Sequence, residues 1–259
     1  MEIAFTEFKS GLSPRDLLFQ VAAIDKQMRE HFAPAYGLEP WPCTFYATLP
    51  DPTSPPSYHP LFVSDDINAP GAAGFHDDIK SSDGLLDYIY GRVMTPTDPL
   101  DASTGSHESI EMRDDPTCDQ YAPAPLPSGQ LVADEPGDPV EADAYPIEVT
   151  IEGETRTILV SNFVLPSYFI PGSQGPWDYM GRLTGPAPAM TSGGYLILMD
   201  PASGQLSNLY ADRAGARRFA ARRIDPHSRT ARRIKKAHRA MLARMAPPAP
   251  PAPATPAQP

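Results

Sequence analysis

His107 and Glu111 stand four positions apart, with Glu108 beside the first, in the run Ser106-His107-Glu108-Ser109-Ile110-Glu111. On a helix, residues at i and i+4 project from one face about one turn apart. An imidazole nitrogen and a carboxylate oxygen so placed can share one divalent cation, and Glu108 is then positioned to hold a water bound to it. The cation lowers the pKa of that water toward about 7, and a neighbouring glutamate takes the proton during attack on a carbonyl. The spacing is that of an H-E-x-x-H site with glutamate in place of the second histidine. Glu111 makes the site harder and more anionic, so Ca²⁺ or Mn²⁺ becomes admissible beside Zn²⁺. The same spacing also arises on plain solvated helix faces.

Two such residues need a third ligand. The segment Asp134-Glu135-Pro136-Gly137-Asp138-Pro139-Val140-Glu141 packs carboxylates closely, and Glu135 is the expected ligand, with Asp138 and Glu141 beside it. By composition the segment reads equally as a solvated acidic loop. Asp114, Asp115 and Asp119 follow the helix directly, and one of them can reach the site or orient His107 from outside the ligand shell, with Asp115 the candidate for the pocket. His76 follows Gly71-Ala72-Ala73-Gly74, small residues that permit close backbone approach; it is either a pocket residue or a packing histidine.

The elements that must position these groups are partly legible. A helix is expected over 14–32, capped by Ser13, opened by Pro14 and stopped by Pro34 and Gly37, with Leu17, Val21, Ile24, Met28 and Phe32 as its buried face. Short strands are expected over 43–48 and 61–64, and 85–94 suits strand or helix. Residues 50–60 and 69–84 read as loop. The metal helix should span 104–113, ending before Pro116. An acidic, proline-broken loop is expected over 121–145. Two hairpins follow, 147–151 with 157–160 around Glu152-Gly153-Glu154, and 195–199 with 205–210 around Asp200 to Gly204. Basic helical stretches at 214–223 and 228–245 and a Pro/Ala-rich end close the chain.

Proline, at 33 of 259 residues, excludes long helices and broad central sheet from most of the chain. The net charge of −11 divides unevenly: residues up to Asp212 carry −22, and those from Arg213 onward +11. An acidic body favours cations and repels nucleic acid, whereas the tail can lie on nucleic acid, an acidic partner, an anionic membrane surface or the body itself. Cys43 and Cys118 form no C-x-x-C pair, so a bridge between them is open but unsupported. No apolar run is long enough to span a membrane, and residues 1–7 lack a basic segment followed by an apolar one, so neither a transmembrane segment nor a signal peptide is expected.

Ser106-His107-Glu108-Ser109-Ile110-Glu111-Met112 with Asp115-Pro116 resembles the S-H-E-x-x-E-M-x-x-D-P signature of a zincin-like family of phage and bacterial proteins. In the same order, residues 31–37 resemble its F-A-P-x-W-G segment, 71–76 its G-A-x-G-Y-H segment, and Tyr90-Gly91-Arg92-Val93 the strand that follows. Glu135, Asp138 and Glu141 resemble its E-x-C-D-x-V-E loop, with Gly137 in place of cysteine; residues 160–169 and 193–195 match later blocks. The resemblance covers about residues 14–200. It implies a metallopeptidase-like α+β fold with a mixed or antiparallel sheet, an N-terminal helix and a metal-site helix. It also implies His107, Glu111 and Glu135 as ligands of one divalent metal and Glu108 as catalytic base. The expected organisation is a zincin-like domain over 1–211, a basic helical tail over 212–246 and a disordered tail over 247–259. The expected function is peptidase-like hydrolysis of a peptide or protein. The alternative is a non-catalytic virion or accessory protein on the same fold, docking through its tail to virion proteins or nucleic acid. Either is expected in the cytoplasm or the virion.

Overall fold

The computed structural model describes residues 1–50, 57–69, 72–80, 87–123, 126 and 129–212. Strands β1 (Glu2–Glu7), β2 (Cys43–Phe45), β3 (Tyr58–Ser64), β4 (Gly74–Lys80) and β5 (Asp87–Met94) form a mixed sheet in the order β2-β1-β3-β5-β4. All neighbours run parallel except the edge strand β4, which is antiparallel to β5 and pairs His76 with Gly91. The chain is therefore α+β with a mixed sheet, as expected. β3 is longer than expected and includes Pro60, which a ladder tolerates only where no N–H is needed. Pro60 meets that condition because β3 pairs with β5 only from Leu61 onward.

Helix α1 (Pro14–Gln27) begins as its sequence requires, with the Ser13 hydroxyl accepting the Asp16 N–H and Pro14 in the first turn. Its face of Leu17, Val21, Ile24 and Met28 is buried together with Phe32. The expected stop at Pro34 is corrected. The helix widens into a π-turn (Met28–Phe32) and continues as α2 (Ala33–Tyr36), ending at Gly37 in the left-handed conformation. Pro34 has no N–H for an i−4 bond, and the wider turn before it moves the pairing, with Ala33 N–H donating to the Met28 carbonyl.

Helix α3 (Ser103–Asp114) packs against β4 and β5 on one side and a hairpin on the other. That hairpin is β8 (Ala144–Ile151) with β9 (Glu154–Ser161), and its two-residue turn, Glu152-Gly153, has positive φ at both positions. Between α3 and β8 the expected acidic loop contains two short strands, β6 (Tyr121–Pro123) and β7 (Leu131–Ala133), and a 3₁₀ turn (Asp138–Val140). These strands join β10 (Tyr195–Met199) and β11 (Leu206–Tyr210) in an antiparallel sheet ordered β11-β10-β7-β6. The main core lies between the mixed sheet, α1, α3 and the β8–β9 hairpin; a second cluster around Val140, Tyr168 and Leu196 backs the 134–140 segment. Cys43 and Cys118 are both buried and free. No described helix is long and apolar enough to cross a membrane. The expected basic and Pro/Ala-rich tail from residue 213 onward lies outside the described residues.

Candidate metal centre

Three segments converge on one buried polar cluster. α3 supplies His107, Glu108 and Glu111; β4 supplies His76; the segment after β7 supplies Glu135 and Asp138. His76 and Glu111 have no exposed surface, Glu108, Glu135 and Asp138 keep 3% or less, and His107 keeps 8%. Burial of this kind is unusual for carboxylates, whose transfer from water costs several kcal/mol unless they are paired or hold a metal.

One hydrogen bond ties the helix to β9 and another closes within it. The Ser161 N–H of β9 donates to Ser106 Oγ at 2.7 Å, and Ser109 Oγ donates to the Gly105 carbonyl at 2.7 Å. On the opposite side two glycines let backbone reach the site. A Cβ on Gly74 of β4 would stand 2.7 Å from Glu108 Oε1 and 2.9 Å from its Cγ. One on Gly137 would stand 2.6 Å from His107 Cε1 and closer still to Nδ1. Gly137 therefore covers the His107 ring, and the 3₁₀ turn that follows aims Asp138 at its other nitrogen.

His107 Nε2 lies 3.2 Å from Glu111 Oε1 and 3.4 Å from Asp138 Oδ1. Charge-assisted hydrogen bonds are shorter, about 2.7–2.9 Å. A cation about 2.0–2.2 Å from each donor would instead separate them by roughly 2.8–3.6 Å in octahedral or tetrahedral geometry. The observed separations fall in the second range. The pKa of His107 is held well above the ordinary imidazole range: burial by itself lowers it, and Glu111, Asp138 and Glu108 together outweigh the burial. Without a cation this imidazole is a proton carrier between carboxylates.

His76 faces the other side of the same carboxylates, with Nδ1 3.3 Å from Glu108 Oε2 and 3.7 Å from Glu111 Oε2. Its Nε2 lies 3.0 Å from the Asp115 carbonyl. Since a carbonyl only accepts, Nε2 carries the proton. The Asp115 carboxylate accepts the backbone N–H groups of Asp119 and Gln120, which tightens the turn presenting that carbonyl. Asp115 therefore bears on His76, where the sequence pointed to His107.

Among the described residues, three sets of possible ligand atoms lie mutually within 4.8 Å: His107 with Glu111 and Asp138, His76 with Glu108 and Glu111, and His76 with Cys118 and Glu135. The expected pairing of His107 with Glu111 is present, and their neighbour from the loop is Asp138. Glu135, the expected third ligand, sits in the set with His76 and Cys118, because Pro136 and Gly137 separate it from the turn that meets His107. Glu141 is exposed just beyond that turn and stands outside the cluster. The 134–140 segment is not a solvated loop. Cys118 went unread in the sequence, where one thiol in Thr117-Cys118-Asp119 carries no pattern; in the fold its Sγ donates to the His76 carbonyl at 3.5 Å.

Beside the cluster, Asp114 and Asp134 share a buried contact. Burial, with Asp134 and Asp115 nearby, raises the Asp114 carboxyl to about 8, and burial with Asp115 raises the Asp134 carboxyl to about 6, so the pair holds a proton near neutrality. No protein-family model matches this chain, and neither a curated protein nor a solved structure matches it, which leaves the chemistry of the cluster to its own geometry.

Proposed function

We propose that this protein is a divalent-metal-dependent hydrolase acting on peptide or amide bonds, on the zincin-like plan its sequence resembles. The observation that carries the reading is the convergence of His107 Nε2, Glu111 Oε1 and Asp138 Oδ1 at ligand-edge separations of 3.2 and 3.4 Å, with the Glu108 carboxylate on the same helix. Three protein ligands with a position left for water or substrate is the pattern of catalytic rather than structural sites. A bound cation supplies a Lewis acid that lowers the pKa of water and polarises a carbonyl.

The chain's own groups do the rest. His107, Glu111 and Asp138 hold the cation, Asp138 taking the place expected of Glu135. Glu108 accepts the proton of the attacking water and returns it to the leaving amine. His76 Nδ1, 3.3 Å from Glu108 Oε2, holds that carboxylate in position. One imidazole and two carboxylates suit Zn²⁺, and the oxygen-rich set also admits Mn²⁺ or Ca²⁺. Elemental analysis of purified protein should find metal that His107→Ala and Asp138→Ala lose and Glu135→Ala keeps. Glu108→Gln should abolish cleavage of a peptide library while the cation at His107 remains. Wild-type protein that holds metal yet cleaves nothing overturns hydrolysis.

A second reading has its own support in the near-complete burial of the cluster, since enclosed sites are typically structural. In it the cation ties β4, α3 and the 134–140 segment together in a non-catalytic virion or accessory protein, and the +11 tail makes the partner contact, with virion proteins or nucleic acid. Chelation then lowers the melting temperature, and Glu108→Gln leaves partner binding unchanged.

A further inference from the structure

We propose that the cluster holds two cations bridged by Glu111, the second bound by His76 Nδ1, Glu108 Oε2 and Glu111 Oε2. The inference rests on the metal reading above and extends it to a site on the β4 side of α3. The two Glu111 oxygens face opposite ways, Oε1 toward His107 at 3.2 Å and Oε2 toward His76 at 3.7 Å. One carboxylate is thereby offered to two positions, which is how bridged pairs about 3.5–4 Å apart are held.

The orientation of His76 points the same way. Nε2 is engaged by the Asp115 carbonyl at 3.0 Å, which fixes the ring with Nδ1 turned toward Glu108 and Glu111. Nδ1 thus meets carboxylate oxygens at 3.3 and 3.7 Å, and the three atoms enclose one common position. A ring nitrogen donated to a backbone carbonyl, with the other turned to carboxylates, is the usual posture of a metal-binding histidine. The separation of 3.3 Å fits a ligand edge and 3.7 Å lies just beyond that range. His76 is fully buried, so water does not screen the contact.

Charge agrees. The cluster gathers four buried carboxylates, Glu108, Glu111, Glu135 and Asp138, a density of acid that two dications offset better than one. The third set does not compete for His76, because Cys118 is presented as a neutral thiol donating to the His76 carbonyl.

The full chain, stripped with chelator and titrated with MnCl₂, should take up about two equivalents. The second ion should broaden the hyperfine pattern of the first by exchange coupling in electron paramagnetic resonance. His76→Ala and Glu108→Gln should each bind about one equivalent with an isolated-ion spectrum; a site with Glu108 acting purely as base would lose nothing on Glu108→Gln. Wild-type protein that binds one uncoupled ion overturns the second site and leaves the first standing. Wild-type protein that binds none overturns both. Either wild-type result decides the matter even if a variant fails to fold.

Discussion

Gly137→Ala offers the most direct test of how the proposed metal centre is built, because it adds one methyl group and removes nothing. The new Cβ would stand 2.6 Å from His107 Cε1 and 2.9 Å from Cγ, where ordinary contact starts near 3.4 Å, so ring and backbone have to part by almost 1 Å. Neither partner yields easily. His107 is buried on a helix pinned by the Ser161-to-Ser106 hydrogen bond, and the loop continues into a 3₁₀ turn whose residues are buried. Overpacking of this kind costs about 1–3 kcal/mol. A displacement of that size is also large against the 3.2 and 3.4 Å edges that define the ligand set. Disturbed ligand orientation typically costs about 10–100-fold in metal affinity. Competition titration against a chromophoric chelator, alongside urea denaturation of metal-free protein, reads both effects. Gly11→Ala is the control, since a Cβ there meets nothing within 4 Å. A Gly137→Ala protein with wild-type metal affinity would refute the claim that this glycine seats the His107 ring.

Two further outcomes follow from the same packing. Ser106→Ala leaves the Ser161 N–H buried without its 2.7 Å acceptor and should destabilise the fold by about 1–3 kcal/mol in urea denaturation; unchanged stability would mean α3 is not anchored there. For Asp114 the sign is set by a folded pKa raised to about 8. The folded state then holds a proton that the unfolded state releases, so this contribution to stability is full below about pH 4 and lost as pH rises toward 8. Asp114→Asn should therefore flatten the decline in metal-free protein, gaining on the order of 2 kcal/mol on wild type between pH 5 and pH 8. A parallel decline in both proteins would remove the shared proton from the account.

What could be read from sequence was what local chemistry decides. Ser13 and Pro14 open α1 whatever surrounds it, the spacing from Leu17 to Phe32 marks its buried face, and Glu152-Gly153 closes a hairpin by backbone conformation alone. His107 and Glu111 were legible because a helix fixes their relation. β4 was not, since Gly74-Phe75-His76-Asp77-Asp78 buries polar groups and lacks the alternation of a half-solvated strand. β6 and β7 have three residues each and are made by their neighbours in the sheet. The choice between Glu135 and Asp138 depends on Gly137 pressing against a ring some thirty residues earlier, a tertiary fact with no local signature.

The composition of α3 ties this chemistry to the fold itself. From Gly105 to Met112 every residue is buried, yet His107, Glu108 and Glu111 are among them. A helix kept solely for its packing would be apolar on all sides at that depth. Its serines bond within the protein, Ser106 Oγ accepting the Ser161 N–H and Ser109 Oγ donating to the Gly105 carbonyl. In the proposed reading a cation is what balances carboxylates so placed and keeps them ordered. Binding would then expel protons and add its free energy to folding, because ions held as proposed would join an edge strand, a helix and the 134–140 segment. Stabilisation by metal thus belongs to the hydrolase and to the non-catalytic reading alike. What separates them is turnover that depends on Glu108.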